Sequence, residues 1–226
     1  KDIRLQARTF QGDWAQRDRL YNMDGFSSFR QYLQSGMVEV LTFYGDWYDP
    51  IPDAARITLG EGNSPIVRSR RLGPSVGLKN LYFKLEITNP TGSYKDRFAC
   101  AAISDMVANG KTECIATSSG NTGASLAAYC AVAGISCEIA IVEGAPEGKL
   151  RQMLAYGAKL YRIRGFGIDA KISDRVIECL RILASRPTAQ MQISAFAYCP
   201  VGMSGVKSVG LELAEQGPEP WDHIFC

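Results

Sequence analysis

Lys95 heads a triplet, Lys95-Asp96-Arg97, that follows the turn-forming residues of "NPTGSY" (89–94). A cation in the first turn of a helix opposes the positive end of the helix dipole. A neutral lysine amine is the nucleophile that Schiff-base chemistry requires. Asp96 suits a helix start on dipole grounds, and Arg97 either faces solvent or pairs with Asp96. Taken alone, a K-D-R triplet is more simply read as a solvated charged turn.

A second cluster lies in "ATSSGNTGAS" (116–125). Gly120 and Gly123 permit close backbone approach to a ligand, and the helix that follows presents free N–H groups. Ser118, Ser119 and Thr122 supply hydroxyls, and Asn121 an amide that donates or accepts. Such a turn fits a carboxylate or a phosphate, and it fits a well-capped helix equally well. It lacks the G-x-G-x-x-G spacing of a dinucleotide loop.

Composition removes several competing chemistries. His223 is the single histidine, so Ser-His-Asp, Cys-His and multi-histidine metal schemes have almost nothing to draw on. The seven cysteines (100, 114, 130, 137, 179, 199 and 226) stand singly without C-x-x-C spacing. That argues against a metal site and against a disulfide framework, and points to buried thiols in a cytoplasmic, reducing setting. With 25 Lys+Arg against 23 Asp+Glu the formal charge is +2, which implies no nucleic-acid partner; "RSRR" (68–71) reads as a solvated loop. No apolar run approaches the roughly 20 residues of a membrane span, and "KDIRLQARTF" has no apolar segment of the secretory kind.

The elements that must position these residues alternate from residue 80 onward. "LYFKLEI" (81–87), "TECIAT", "SCEIAIV", "AKLYRIR" and "MQISAF" read as strands. Between them "YKDRFACAAISDMVANG", "ASLAAYCAVAG", "EGKLRQMLAYG", "GIDAKISDRVIECLRILAS" and "SGVKSVGLELAEQG" carry helical spacing, and "HIFC" (223–226) starts a further strand. This is the pattern of an α/β fold with a parallel sheet flanked by helices, whose ligands bind at the carboxyl ends of strands. Residues 1–56 are aromatic-rich, with a weak helical signal near "FRQYL" (29–33). Trp14, Trp47 and Trp221 read as packing residues, and Met203–Lys207 as a capped helix start. The sequence stops where the last strand ought to deliver a functional loop, so a C-terminal part is expected to be missing.

"NPTGSYKDR" (89–97) followed by "SSGNTG" (118–123) resembles the fold-type II pyridoxal-phosphate enzymes of the tryptophan synthase β-like superfamily. "LGEGNSPIVR" (59–68), "GKLRQMLAYGAKLYRI" (148–163) and "GVKSVGLELAEQ" (205–216) are similar to the same group, closest to threonine synthases, over roughly residues 57–226. The resemblance implies a homodimeric two-domain lyase. Residues 93–189 would form a smaller mobile α/β domain, 57–92 and 190–226 parts of a larger cofactor-binding domain, and 1–56 an N-terminal extension. Lys95 would hold pyridoxal 5'-phosphate as a Schiff base and then move protons, and Asn121 would bond the cofactor's 3'-hydroxyl. Ser118, Ser119, Gly120 and Thr122 would receive the substrate α-carboxylate, with Thr122 also aiding catalysis. Asn89 and Ser93 would line the pocket near a substrate phosphate. The implied reaction converts O-phosphohomoserine and water to L-threonine and phosphate. A threonine or serine dehydratase, a β-replacement enzyme, or an inactive ligand-binding domain of the same fold are the alternatives. The family's cofactor-phosphate loop and the partner of the pyridine nitrogen would lie beyond Cys226.

Overall fold

The structure, a computed structural model, describes residues 51–217 and 221–225. The expected helix near 29–33, Trp14, Trp47, Cys226 and most of the N-terminal extension lie outside them. Strands β3 (Glu113–Ser118), β4 (Ser136–Ile141), β5 (Lys159–Arg162) and β6 (Ala189–Gln192) form a parallel sheet in the order β5-β4-β3-β6. The register aligns Cys114 with Cys137 and Ala116 with both Ile139 and Gln192. β1 (Ile66–Arg68) and β2 (Tyr82–Lys84) make a separate antiparallel pair. β6 crosses residue 190, the expected edge of the smaller domain, and pairs with β3.

Helices α1 (Leu72–Ser75), α2 (Lys95–Ala108), α3 (Asn121–Ala133), α4 (Glu147–Ala155), α5 (Ala170–Ala184), α6 (Pro200–Gly205) and α7 (Ser208–Gln216) complete the order. Pleat alternation along β3 separates two apolar layers. Cys114 and Ala116 join Phe98, Ile103, Leu126, Tyr129, Ile139 and Met153 in the larger one. Ile115 faces the other way and packs with Phe166, Val176, Leu180 and Ala189 beneath α5. That helix is the amphipathic segment the sequence promised, capped by Asp169, whose carboxylate accepts from the Ile172 N–H at 3.1 Å. α3, rich in small residues, ends as expected on a left-handed Gly134 at φ 68°, the usual helix stop.

Three expectations change. "SGVKSVGLELAEQG", expected as one helix starting at Met203–Lys207, is divided, since Met203–Gly205 end α6 and α7 begins at Ser208. "LYFKLEI" yields only Tyr82–Lys84 as strand, and the chain turns into a 3-10 segment at Glu86–Thr88. Asn89 closes that turn by donating to the Glu86 carbonyl (2.8 Å) and carboxylate (2.9 Å). Residues 223–225 pair with no strand among the described residues, and Phe225 is exposed.

α2 is buried almost all round, which requires neighbours at close range. A Cβ at Gly205 of α6 would lie 2.1 Å from the Arg97 carbonyl oxygen and 3.0 Å from the Ala101 Cβ. Backbone on one side of that contact cannot yield cheaply. Gly205→Ala is therefore expected to lower the unfolding free energy by about 1–3 kcal/mol, read as a shift of the urea midpoint. Gly210→Ala in α7, where a Cβ meets nothing within 4 Å, serves as the control and should be neutral or slightly stabilising.

Candidate active site

Successive residues of a helix diverge by about 100°, so Lys95, Asp96 and Arg97 leave the first turn of α2 in three directions. Arg97 and Asp96 are both fully buried, and Arg97 neither faces solvent nor pairs with Asp96. Its guanidinium grips Glu86 through Nε (2.9 Å) and Nη2 (2.9 Å), and Glu212 of α7 through Nη1 (2.5 Å) and Nη2 (2.8 Å). Nη1 also donates to Ser208 Oγ at 2.8 Å. Lys84 joins from β2, donating to Glu212 Oε2 (2.5 Å), the Ser64 carbonyl (2.6 Å) and Gln216 Oε1 (2.6 Å).

Two cations and two carboxylates thus share one buried site with nearly every polar position used. Burial lowers the Lys84 pKa, and Glu212 only partly restores it. Burial alone would raise Glu86, but the hydrogen bonds and charge of Arg97, with help from Ser64 and Asn89, hold it below its ordinary value. The carboxylates more than offset the burial of Arg97 and raise its pKa.

Asp96 points to the other turn. It accepts from the Thr91 N–H (2.7 Å) and hydroxyl (2.6 Å), and Thr91 Oγ1 lies 3.0 Å from Ser125 Oγ in α3. Burial raises the Asp96 pKa despite these bonds. The Thr91 carbonyl in turn accepts from Lys149 (3.2 Å) and Gln152 (3.3 Å) of α4. Thr91, taken in the sequence as a turn residue, is where "NPTGSY", α3 and α4 are tied together.

The β3–α3 turn is built by Ser118, whose Oγ accepts from the N–H groups of Gly120 (2.9 Å) and Gly123 (2.8 Å). Gly123 is required for close packing: a Cβ there would sit 2.8 Å from the Ser118 Cβ and 2.7 Å from Met153 Sδ. With those two donors satisfied, the N–H groups of Ser119, Asn121 and Thr122 find no acceptor among the described residues. Ser119 and Asn121 are exposed and Gly120 is buried. Thr122 Oγ1 lies 3.0 Å from Ser194 Oγ, in the loop after β6. A Cβ on Gly120 would be 3.6 Å from Lys149 Cγ, so the α4 cation flanks this turn.

The remaining sequence-derived residues are placed differently. Asn89 is buried and committed: its Oδ1 accepts from the Gly62 N–H at 2.9 Å and its amide holds Glu86. Ser93 is buried, its Oγ 3.3 Å from the Lys95 N–H. Sequence reasoning passed over Lys149, Ser194 and the Lys84–Glu86–Glu212 set. The first could have been flagged as the cation one turn into a helix beside the Gly-rich turn. The others have no local signal, because their partners are distant in the chain.

The three lysines near the site test whether it suits a carbonyl cofactor. Lys84 has three acceptors and Lys149 has two. Lys95 is half-buried, and its Nζ has as its partner among the described residues only the Tyr94 ring, 4.5 Å from the centroid. An amine anchored by its helix yet held by no acceptor is free to form a covalent bond with an aldehyde. Of the three lysines, Lys95 could hold a pyridoxal group, and the N–H cradle beside Asn121 offers a place for an anion.

Residues 57–226 match the family described as pyridoxal-phosphate dependent enzyme. A threonine synthase of Mycobacterium bovis is 34% identical over 177 residues, covering 78% of this chain and 47% of that protein. One from Methanosarcina acetivorans is 35% identical over 161 residues, 71% of this chain and 38% of that protein. The chain spans about half the length of the mycobacterial relative. Among solved structures, a pyridoxal 5'-phosphate-dependent aspartate racemase gives a TM-score of 0.59 at 28% identity, covering 69% of this chain and 46% of that one. A threonine deaminase from T.th. gives 0.56 at 28% identity over the same shares. Serine racemase from Dictyostelium discoideum gives 0.56 at 26%, covering 71% and 50%.

Arg97→Met should cost about 3–5 kcal/mol of stability, because it leaves Glu86 and Glu212 buried with Lys84 alone; chemical denaturation measures this. Glu86 has a folded pKa below its ordinary 4.5, so its contribution is present above that value and is lost as pH falls through the folded pKa. The stability gap between the wild type and Glu86→Gln should therefore close on acidification below about pH 4.5.

Proposed function

Since the chain belongs to the family of pyridoxal-phosphate dependent enzymes, we propose that it is the Lys95-bearing part of a threonine synthase, which turns O-phosphohomoserine and water into L-threonine and phosphate. The observation that supports this reading is that Lys95 meets no acceptor among the described residues, while its neighbour Asp96 is tied through Thr91 to Ser125 of α3, the helix that opens on the open N–H groups of the β3–α3 turn. The threonine synthases it resembles at 34–35% identity support the substrate assignment.

When bound, the cofactor supplies an electron sink for a carbanion at the substrate α-carbon and beyond. The chain's own residues do the rest. Lys95 would hold the cofactor and would carry protons at Nζ. The N–H groups of Ser119, Asn121 and Thr122, aided by the Ser119 hydroxyl and the α3 dipole, receive the α-carboxylate. The Asn121 amide would bond the cofactor, and Thr122, braced by Ser194, would aid catalysis. Lys149 adds positive charge for a substrate that carries a phosphate as well as a carboxylate. Ser118 and Asn89 support this site through the bonds they already make, and Ser93 borders it. Residues 93–189 would form the mobile part of a two-domain homodimer. Buried free thiols fit a cytoplasmic setting.

A dehydratase is the second reading, favoured by the likeness to threonine deaminase. The two separate cleanly: phosphate release from O-phosphohomoserine supports the synthase, and 2-oxo acid formation from threonine without it supports the dehydratase. Lys95→Ala should abolish turnover while the far-ultraviolet spectrum stays unchanged. Borohydride reduction with pyridoxal phosphate, followed by peptide mapping, should mark Lys95; label on Lys149 or Lys207 would refute the assignment. Ser119→Ala, losing a charge-assisted bond of roughly 1.5–3 kcal/mol, should raise KM roughly ten- to a hundredfold and leave cofactor affinity unchanged. Asn121→Ala should instead change the cofactor's absorption before any substrate is added.

A further inference from the structure

Sequence spacing offers no reason to group Cys114, Cys130 and Cys137, yet the fold does so. Cys114 and Cys137 are directly paired second residues of β3 and β4. Cys130 comes from α3, which packs on the same sheet face. The three Sγ atoms all lie within 4.8 Å of one another, and exposures of 0%, 1% and 6% show that no solvent-facing edge is available to them. All three thiols are free. The group sits at the amino end of the strands. Cys114 lies four residues before Ser118, roughly 13 Å along a strand at about 3.3 Å per residue, so it is no part of the site at the carboxyl edge.

We propose that these three thiols form a buried site for trivalent arsenic, taken up as arsenous acid. Three features select that class of ligand. A soft centre held about 2.3 Å from each sulfur needs sulfurs roughly 3.5–4 Å apart, which sulfurs within 4.8 Å of one another reach by closing at most about 1.3 Å. Tetrahedral zinc wants a fourth ligand, and the described residues place no fourth metal-ligating group there. Charge decides between the remaining soft ions. Three thiolates leave a net charge of −2 around Cu(I) and −1 around Zn(II), but zero around As(III), and an uncompensated charge in an apolar core is heavily penalised.

The reaction is a condensation without redox change. As(OH)3 and three Cys–SH groups give As(S–Cys)3 and three waters. Three As–O and three S–H bonds break, three As–S bonds form, each thiol proton leaves on a departing hydroxide, and arsenic stays trivalent. Entry needs only local opening of the turn after α3. Gly134 and Ser136 are exposed there, with Cys130 and Cys137 close by on either side in the chain. Once closed, the complex staples β3, β4 and α3 at the end opposite Ser119 and Thr122.

The test is sodium arsenite added to the reduced protein, read by arsenic X-ray absorption and by sulfur-to-arsenic charge-transfer absorbance. One equivalent should bind slowly, with three sulfur neighbours and no oxygen. Cys114→Ala, Cys130→Ala and Cys137→Ala should each weaken binding at least tenfold, and Cys179→Ala and Cys199→Ala should leave it unchanged. Circular dichroism identifies any variant that fails to fold, and the coordination number of the wild type decides the matter without variants. Two sulfurs with a retained oxygen, loss of binding in Cys179→Ala, or stoichiometric Zn(II) or Cu(I) uptake where arsenite does not bind would overturn the proposal.

Discussion

Arg97 is a permanent charge with no route to water, and the structure around the site is arranged to satisfy it. Its two carboxylate partners come from the segment after β2 and from α7. One guanidinium therefore fixes where a hairpin, the α2 start and the last described helix meet. Glycine at 205 belongs to the same solution, since only a residue without a side chain lets α6 lie against the Arg97 carbonyl. Buried ion pairs are poor sources of net stability, because desolvation cancels much of the attraction. Their strength lies in intolerance of misplacement: a displaced α2 would strand charges in the core.

That intolerance serves Lys95. Two residues of the same helical turn, Asp96 and Arg97, are pinned in opposite senses, one to Thr91 and the other to Glu86 and Glu212. The side chain between these directions inherits a fixed origin while keeping its own tip unbound. A reactive amine, the role proposed for Lys95, needs both properties, a rigid base and a free end. The turn at 118–123 shows the same division of labour, with Ser118 spent on building the loop and Ser119 and Asn121 left open.

Much of this was legible in the residues. The βα alternation, the Gly134 stop, the amphipathic face of 170–184 and the turn at the end of β3 depend on local spacing, and local spacing is what a sequence displays. The K-D-R triplet shows the limit. Its types announce solvent, and nothing nearby reveals that one carboxylate partner of Arg97 stands 115 residues away. The shortening of β2 is a nearer case, since Glu86 leaves the strand pattern to meet the guanidinium of Arg97. Likewise the three cysteines stand far apart in the chain and become neighbours only through strand register and helix packing.

The long span of the Arg97–Glu212 pair also bears on the order in which the protein can be made. Glu86 emerges before Arg97, so the first half of the charge set can close early on a nascent chain. Its second half must wait for another 115 residues, about 6–23 s at 5–20 residues per second. Throughout that interval Lys84 and one edge of the guanidinium lack their carboxylate, and the α2 face destined for α6 stays uncovered. Completion of this corner is thus a late event in biogenesis, and the interval before it is when holding factors have most to protect.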